Sequence, residues 1–181
     1  MAGIAVVTIS DRCAAGQQED TAGPALTRLL EQQWPGETIG RGLVPDSENA
    51  ITKLLEELCH QEYELIVTAG GTGLGPRDVT PEATRRVIAR EVPGLMEAVR
   101  SICGVSYPHA WLSRGVAGLC GKTLIVNLPG SERGATDSLR AILPLLPHAL
   151  EVVAGGSKHP SHHGEVTHRG SAFTKEELSG Q

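Results

Sequence analysis

Three short runs of apolar and β-branched residues constrain this chain more than anything else in it: Ile4-Ala-Val-Val-Thr-Ile9, Leu65-Ile-Val-Thr68 and Thr123-Leu-Ile-Val126. A strand with one wet face alternates apolar and polar side chains. These runs are apolar almost throughout, the pattern of strands covered on both faces of a parallel sheet. Helical patterns lie between them. One opens near Thr21, carries Pro24 in its first turn and presents Leu26, Leu29 and Leu30; proline is tolerated there because a first-turn N–H has no intrahelical partner to lose. A second, from about Ser47 to His60, gathers Ala50, Ile51, Leu54, Leu55 and Leu58 on one face. A third opens at Thr80-Pro81 with Thr80 as its cap, and a last one spans roughly 136–153, interrupted by Pro144 and Pro147. Strand and helix in alternation imply right-handed βαβ crossovers. The predicted fold is therefore α/β, a three-layer α/β/α domain with a mostly parallel sheet. Ligands of such sheets bind beyond the carboxyl ends of the strands, which directs attention to the loops after Ile9, Thr68 and Val126.

The 181 residues, 40% of them hydrophobic, suffice for one core, and we expect one domain over residues 1–155. From Gly155 the pattern stops, and residues 156–181 read as a mobile polar tail. Its histidines at 159, 162, 163 and 168 are the signature of a solvated segment rather than a metal site. Against that reading stands Thr174-Lys-Glu-Glu177, a helix-start signal ahead of Leu178. A net charge of −5 excludes broad electrostatic binding to nucleic acid, which needs a basic face. The apolar opening residues run straight into Asp11-Arg12 with no basic segment ahead and no cleavage-like site behind, and no stretch approaches the ~20 apolar residues of a membrane helix, so a cytoplasmic protein without membrane contact is expected. Cys13, Cys59, Cys103 and Cys120 stand far apart with no C-x-x-C pair, as buried free thiols in a reducing compartment do.

The loop after the second run reads Ala69-Gly-Gly-Thr-Gly-Leu-Gly-Pro-Arg-Asp-Val-Thr-Pro-Glu82. Glycines at this density after a buried strand let backbone N–H groups approach an anion, and phosphate is the natural guest; a tight strand-to-helix turn is the bland alternative. The loop is neither a Walker A motif nor a G-x-G-x-x-G fingerprint. Asp78 either favours the helix N-terminus or serves as a Mg²⁺ ligand, since Mg²⁺ takes one or two carboxylates plus substrate oxygens. Glu82 suits the helix dipole better than catalysis. Asp46 or Ser47 is a good N-cap for the helix that follows, which competes with a site role for Asp46. Ser10-Asp11-Arg12, then Asp20-Thr-Ala-Gly-Pro24, place more polar groups at the same edge. Ser113-Arg114 and Asn127-Leu-Pro-Gly-Ser131 supply further donors, with Arg114 and Lys122 as the available cations. No G-x-S-x-G elbow, metalloprotease helix or activated Cys or His context is present. Phosphoryl and nucleotidyl transfer need none of these, because positioning and charge neutralisation account for most of the catalysis.

Thr68-Ala-Gly-Gly-Thr-Gly73, followed by Arg77-Asp-Val-Thr-Pro-Glu-Ala-Thr84, resembles the signature of the molybdopterin-binding MoaB/Mog family, which includes the G domains of gephyrin and the plant Cnx proteins. The resemblance runs from about residue 4 to 153 and takes in Thr8-Ile-Ser-Asp-Arg12, Val44-Pro-Asp46, Leu112-Ser-Arg114 and Asn127-Leu-Pro-Gly130 in the family's order. It implies a trimeric α/β domain that binds molybdopterin and, in its active branch, transfers AMP from Mg²⁺-ATP to the terminal phosphate of molybdopterin with release of pyrophosphate. The two aspartates required for that step fall on Asp46 and Asp78, as catalytic and metal-binding residues. Gly70, Gly71, Thr72 and Gly73 fall on the nucleotide and phosphate loop, Ser113, Asn127, Pro129 and Gly130 on the pterin side, and Ser10 and Asp11 on the first binding loop. The resemblance also allows a catalytically silent molybdopterin-binding or scaffold protein, more distantly a nicotinamide-nucleotide-processing relative of the same fold, and it leaves open whether product passes to a separate molybdenum-inserting enzyme as partner.

Overall fold

The computed structural model describes residues 3–156, so the predicted tail, with its histidines and the helix-start signal at Thr174, lies outside the described residues. All three apolar runs are strands: β1 (Ile4–Ile9), β3 (Leu65–Ala69) and β6 (Thr123–Leu128), each buried along its whole length. A six-stranded sheet forms around them with β2 (Ile39–Val44), β4 (Arg90–Glu91) and β5 (Ala117–Cys120), in the order β2-β1-β3-β6-β5-β4. The β2-β1-β3-β6 part is parallel, and β5 and β4 add an antiparallel edge.

Helices α2 (Ala22–Gln33), α5 (Pro93–Ser106), α6 (Glu132–Ile142) and α7 (Leu146–Val153) cover one face, where Leu26, Leu30, Met96, Leu139 and Ile142 meet Val6, Val67 and Val126. Helices α3 (Glu48–His60) and α4 (Thr80–Val87) cover the other, with Ile51, Leu55 and Ala83 against Val7, Ile66 and Ile125. The expected three-layer α/β/α architecture is what forms. Successive side chains of β1, β3 and β6 enter different cores, which is why these strands carry no polar alternation.

Several local expectations need correction. The last helix is two helices, because Pro144 cannot extend α6 and Pro147 sits in the first turn of α7, where its missing N–H costs nothing. Thr80 is the first residue of α4 rather than its cap: it is fully buried, and its hydroxyl donates to the Gly70 carbonyl at 2.8 Å, so its oxygen does not cap the helix. The four cysteines are free but only half-buried. Strand β2 has no apolar run to announce it. Its Gly40 and Gly42 leave room where a Cβ would come within 2.7 Å of the Tyr63 hydroxyl and 3.2 Å of Leu54.

Chain order reverses between β1 and its neighbours: β2 lies on one side and β3 on the other. In an open α/β sheet that switch point opens a crevice beyond the strand ends. Ile9 and Ala69 end their strands there.

Candidate active site

A cleft of about 530 Å³ occupies this switch point, lined by Ser10 and Asp11 after β1, Asp46 after β2, Gly70, Gly71 and Asp78 after β3, Gly130 after β6, and the Gln18–Ala22 segment leading into α2. Its size is within the range of small-molecule sites.

The glycines are required by geometry. Gly70 has φ +120°, and a Cβ there would stand 2.1 Å from the Ile9 carbonyl oxygen; at Gly71, φ +63°, it would stand 2.3 Å from the Thr80 hydroxyl. The loop therefore lies flat against the end of β1. Its far side is tied to α4 by the Thr80 hydroxyl and by the Thr80 N–H, which donates to the Gly71 carbonyl at 3.1 Å.

Asp11 and Asp46 clasp each other through backbone amides. The Asp11 N–H donates to Asp46 Oδ2 at 2.7 Å, and the Asp46 N–H donates to Asp11 Oδ1 at 3.0 Å. Asp46 does not cap α3, which starts after Ser47 with no side-chain cap bond. Arg77 closes on the remaining Asp11 oxygen through Nη2 at 2.5 Å and Nε at 3.1 Å. That hydrogen bond outweighs the opposing effect of burial and, with the Asp46 amide and the charge of Arg77, holds the Asp11 carboxyl below its usual range. Ser10 caps the short helix α1 (Asp11–Ala14), its Oγ accepting from the Cys13 N–H.

Asp20 is not among the predicted site residues, yet it is among the most connected groups in the cleft. It accepts from the Thr8 hydroxyl at 2.9 Å, from the Gly23 N–H at 2.9 Å and from Arg41 at 2.8 Å. The spacing of Asp20 to Gly23 just ahead of a helix is the signal that could have found it. Four aspartates thus line the cleft, and two of them, Asp11 and Asp20, are paired with arginines. Asp46 and Asp78 have no cationic partner among the described residues. Each has one oxygen on a backbone amide, Asp46 Oδ2 on Asp11 and Asp78 Oδ2 on Gly75, while Oδ1 accepts no hydrogen bond from the described residues. Two hard oxygens facing one cleft fit Mg²⁺, which completes its shell with phosphate oxygens and water. Among the described residues no cluster of three or more His, Cys, Asp or Glu forms a dedicated protein cage.

Of the predicted site residues, Ser10, Asp11, Asp46, Gly70, Gly71, Asp78 and Gly130 come together in the cleft, whereas Thr72, Gly73, Ser113, Asn127 and Pro129 are not part of its lining. Gly73 is nonetheless close to it, since a Cβ there would stand 3.0 Å from Asp78 Oδ2. Asn127 is turned away from the cleft. It is fully buried, its Nδ2 donates to the Thr68 and Thr84 hydroxyls at 3.0 Å each, and its Oδ1 accepts from the Val116 N–H at 3.2 Å. In this arrangement it braces β3, α4 and the approach to β5. Ser113 turns its Oγ onto the Gly115 N–H.

A crevice at the switch point of a parallel sheet, floored by glycines and edged by carboxylates, marks an α/β protein with a small-molecule site. The comparisons narrow the class: residues 5–148 match the protein family described as "Probable molybdopterin binding domain", and the chain belongs to that family. It is 40% identical over 149 residues to the molybdenum cofactor synthesis protein cinnamon of Drosophila melanogaster, covering 82% of this chain and 25% of that protein, so the chain spans about a quarter of that relative's length. It is 37% identical over 155 residues to the molybdopterin adenylyltransferase of Helicobacter pylori J99, covering 84% of this chain and 88% of that enzyme. The solved structure of the molybdopterin biosynthesis enzyme MoaB of Thermus thermophilus superposes with a TM-score of 0.78 at 47% identity, over 86% of this chain and 98% of that one.

Proposed function

We propose that the chain is a molybdopterin adenylyltransferase, which transfers AMP from Mg²⁺-ATP to the terminal phosphate of molybdopterin in the pathway that builds the molybdenum cofactor. The observation that carries this reading is the state of Asp46 and Asp78: two carboxylates in one cleft, each tethered by a backbone amide and neither neutralised by an arginine among the described residues. An acidic cleft repels a polyphosphate unless a divalent cation bridges the two. Asp46 and Asp78 would hold Mg²⁺, which supplies charge neutralisation at the phosphate oxygens. In the transfer, a terminal phosphate oxygen of molybdopterin forms the new bond to the α-phosphorus of ATP, the bond from that phosphorus to the bridging oxygen breaks, and pyrophosphate leaves. A phosphate monoester has its second pKa near ~6, so the nucleophile is already ionised at neutral pH and no strong general base is required. The Gly70 N–H is committed to the Leu128 carbonyl at 3.0 Å, which leaves the Gly71 N–H of the loop as a donor that needs no reorganisation as charge develops.

The test is incubation of the full chain with molybdopterin and Mg²⁺-ATP, with adenylylated pterin and pyrophosphate as readouts. Asp46→Asn and Asp78→Asn should each reduce turnover at least a hundredfold while melting within a few degrees of the parent, since neither side chain is in the core. Pterin binding without pyrophosphate release by the parent chain would establish the silent binder or scaffold instead.

The family reading also carries a homotrimer. It is supported by exposed apolar side chains gathered at the end of α5 and on the 3-10 turn Pro108–Leu112: Ile102, Val105, Tyr107, Trp111 and Leu112. Patches of this kind mark contact surfaces. Light scattering that reports a monomer throughout the micromolar range would remove this part of the reading. Cytoplasmic placement fits the four free thiols and the ATP requirement, and among the described residues no helix is long and apolar enough to cross a membrane. A product poised for metal insertion calls for a separate molybdenum-inserting enzyme as partner.

A further inference from the structure

The stretch Gly73–Asp78 leads into α4 with four of its six residues, Leu74, Gly75, Pro76 and Arg77, exposed and no large side chain of its own packed into a core, yet it must hold the Asp78 carboxylate still. Within the stretch the turn closes on itself: the Asp78 N–H donates to the Gly75 carbonyl at 3.0 Å, and the Gly75 N–H donates to Asp78 Oδ2 at 2.8 Å. Its two ends are joined from outside by one side chain. Arg114 Nε donates to the Gly73 carbonyl at 2.7 Å, and Arg114 Nη2 donates to the Asp78 carbonyl. The Arg114 backbone N–H donates to the Thr72 carbonyl at 2.9 Å, one residue ahead of the turn.

The guanidinium is itself anchored. Glu82, on the first turn of α4, accepts from Nη1 at 2.5 Å and from Nη2 at 3.4 Å. Arg100 on α5 donates to the Ser113 and Gly115 carbonyls at 3.3 and 3.4 Å, fixing the backbone on both sides of Arg114. Burial would push the Glu82 carboxyl up, but the Arg114 hydrogen bond, the helical backbone and the charges of Arg114 and Arg85 hold it below its ordinary value, so the pair is ionised at neutral pH. Arg114 is not part of the cleft lining.

We propose that Arg114, oriented by Glu82, is a positioning residue that closes the Gly73–Asp78 turn from behind and so sets the place of the Asp78 carboxylate. Only a guanidinium suits the role: its planar fork meets two carbonyls and a carboxylate at once, which an ammonium on a flexible stem cannot do. The proposal rests on the reading of Asp78 as a Mg²⁺ ligand for its effect on turnover, but its structural core does not.

The experiment therefore has two arms, run on the full chain. In the ligand-free protein, amide hydrogen exchange of Gly75 and Asp78 should quicken at least tenfold in Arg114→Ala, and to an intermediate degree in Arg114→Lys and Glu82→Gln, with β3 and β6 exchanging as in the parent. In the adenylylation assay, Arg114→Ala should raise the Mg²⁺ concentration for half-maximal rate about tenfold with little change in the KM for pterin, and added guanidinium ion should restore part of the loss. Unchanged exchange at Gly75 and Asp78 in Arg114→Ala overturns the proposal. If Arg114→Ala does not fold, unchanged exchange in both Arg114→Lys and Glu82→Gln overturns it equally. A parent chain with no adenylylation counts against the proposed function alone, since the exchange arm needs no turnover.

Discussion

Replacing Asn127 by alanine separates a brace from a ligand. The amide makes three side-chain hydrogen bonds in a fully buried setting, to the Thr68 and Thr84 hydroxyls and from the Val116 N–H. Truncation leaves the Val116 N–H without its acceptor, at ~1–3 kcal/mol for a buried donor, and removes two further bonds worth ~1 kcal/mol each. Thr84 can recover part of this by turning its hydroxyl to a carbonyl of the preceding helical turn, but Thr68 in mid-strand has no such recourse. A loss of about 3–5 kcal/mol follows, a large share of the ~5–15 kcal/mol that holds a typical domain. For a chain of this size each kcal/mol lowers the melting temperature by ~2–4 °C, which gives a fall of roughly 10 °C. Circular dichroism melts and urea unfolding with an unchanged m-value would measure it. Ser113→Ala, which removes a single acceptor in a half-buried turn, should cost under ~1 kcal/mol and serves as the control. An Asn127→Ala protein that melts within ~2 °C of the parent but no longer binds pterin would sink the brace and restore the residue to the ligand side implied by family resemblance.

Three further outcomes are expected. Gly70→Ala should prevent stable folding or cost more than ~4 kcal/mol, because φ +120° is closed to alanine and its Cβ would stand 2.1 Å from the Ile9 carbonyl; Gly121→Asn, at φ +59° with open space around it, should melt within a few degrees of the parent. Burial, reinforced by the neighbouring Cys120 thiol, pushes Cys59 up to about 12 from an ordinary 9.0, so iodoacetamide at pH 8 should alkylate it at least tenfold more slowly in the native chain than in denaturant; equal rates by peptide mass spectrometry would contradict this. Glu82 is held below its ordinary 4.5, so its pair with Arg114 stabilises the fold fully above that pH and is lost as pH falls through the lowered value; the acid limb of the melting-temperature profile should flatten in Glu82→Gln, and an unchanged limb would count against the pair.

The three buried strands were legible because a strand enclosed on both faces needs nothing but apolar and β-branched residues, a local property of four to six positions. The glycine loop was legible for a similar reason, since φ values of +120° and +63° at Gly70 and Gly71 are demands on a single residue. Strand β2 and helix α5 were not, because glycines at 40, 42, 94 and 104 dilute their apolar patterns; at 40, 42 and 104 they are explained by Tyr63, Leu54 and Trp111, which only the assembled fold brings against them. The roles of polar side chains were the least legible. Asp46 reads as a helix cap until Asp11, 35 positions away, donates to it. Asn127 reads as a donor at the binding edge until Thr68, 59 positions away, and Thr84, 43 positions away, receive its amide. Arg114 reads as an available cation for the site until its guanidinium closes on the Asp78 carbonyl, 36 positions away. Secondary structure and loop conformation follow from local sterics and hydrophobic period, which the sequence carries in itself. The duty of a hydrogen-bonding group follows from whichever partner the topology brings within about 3 Å, and that was decided by the tertiary structure alone.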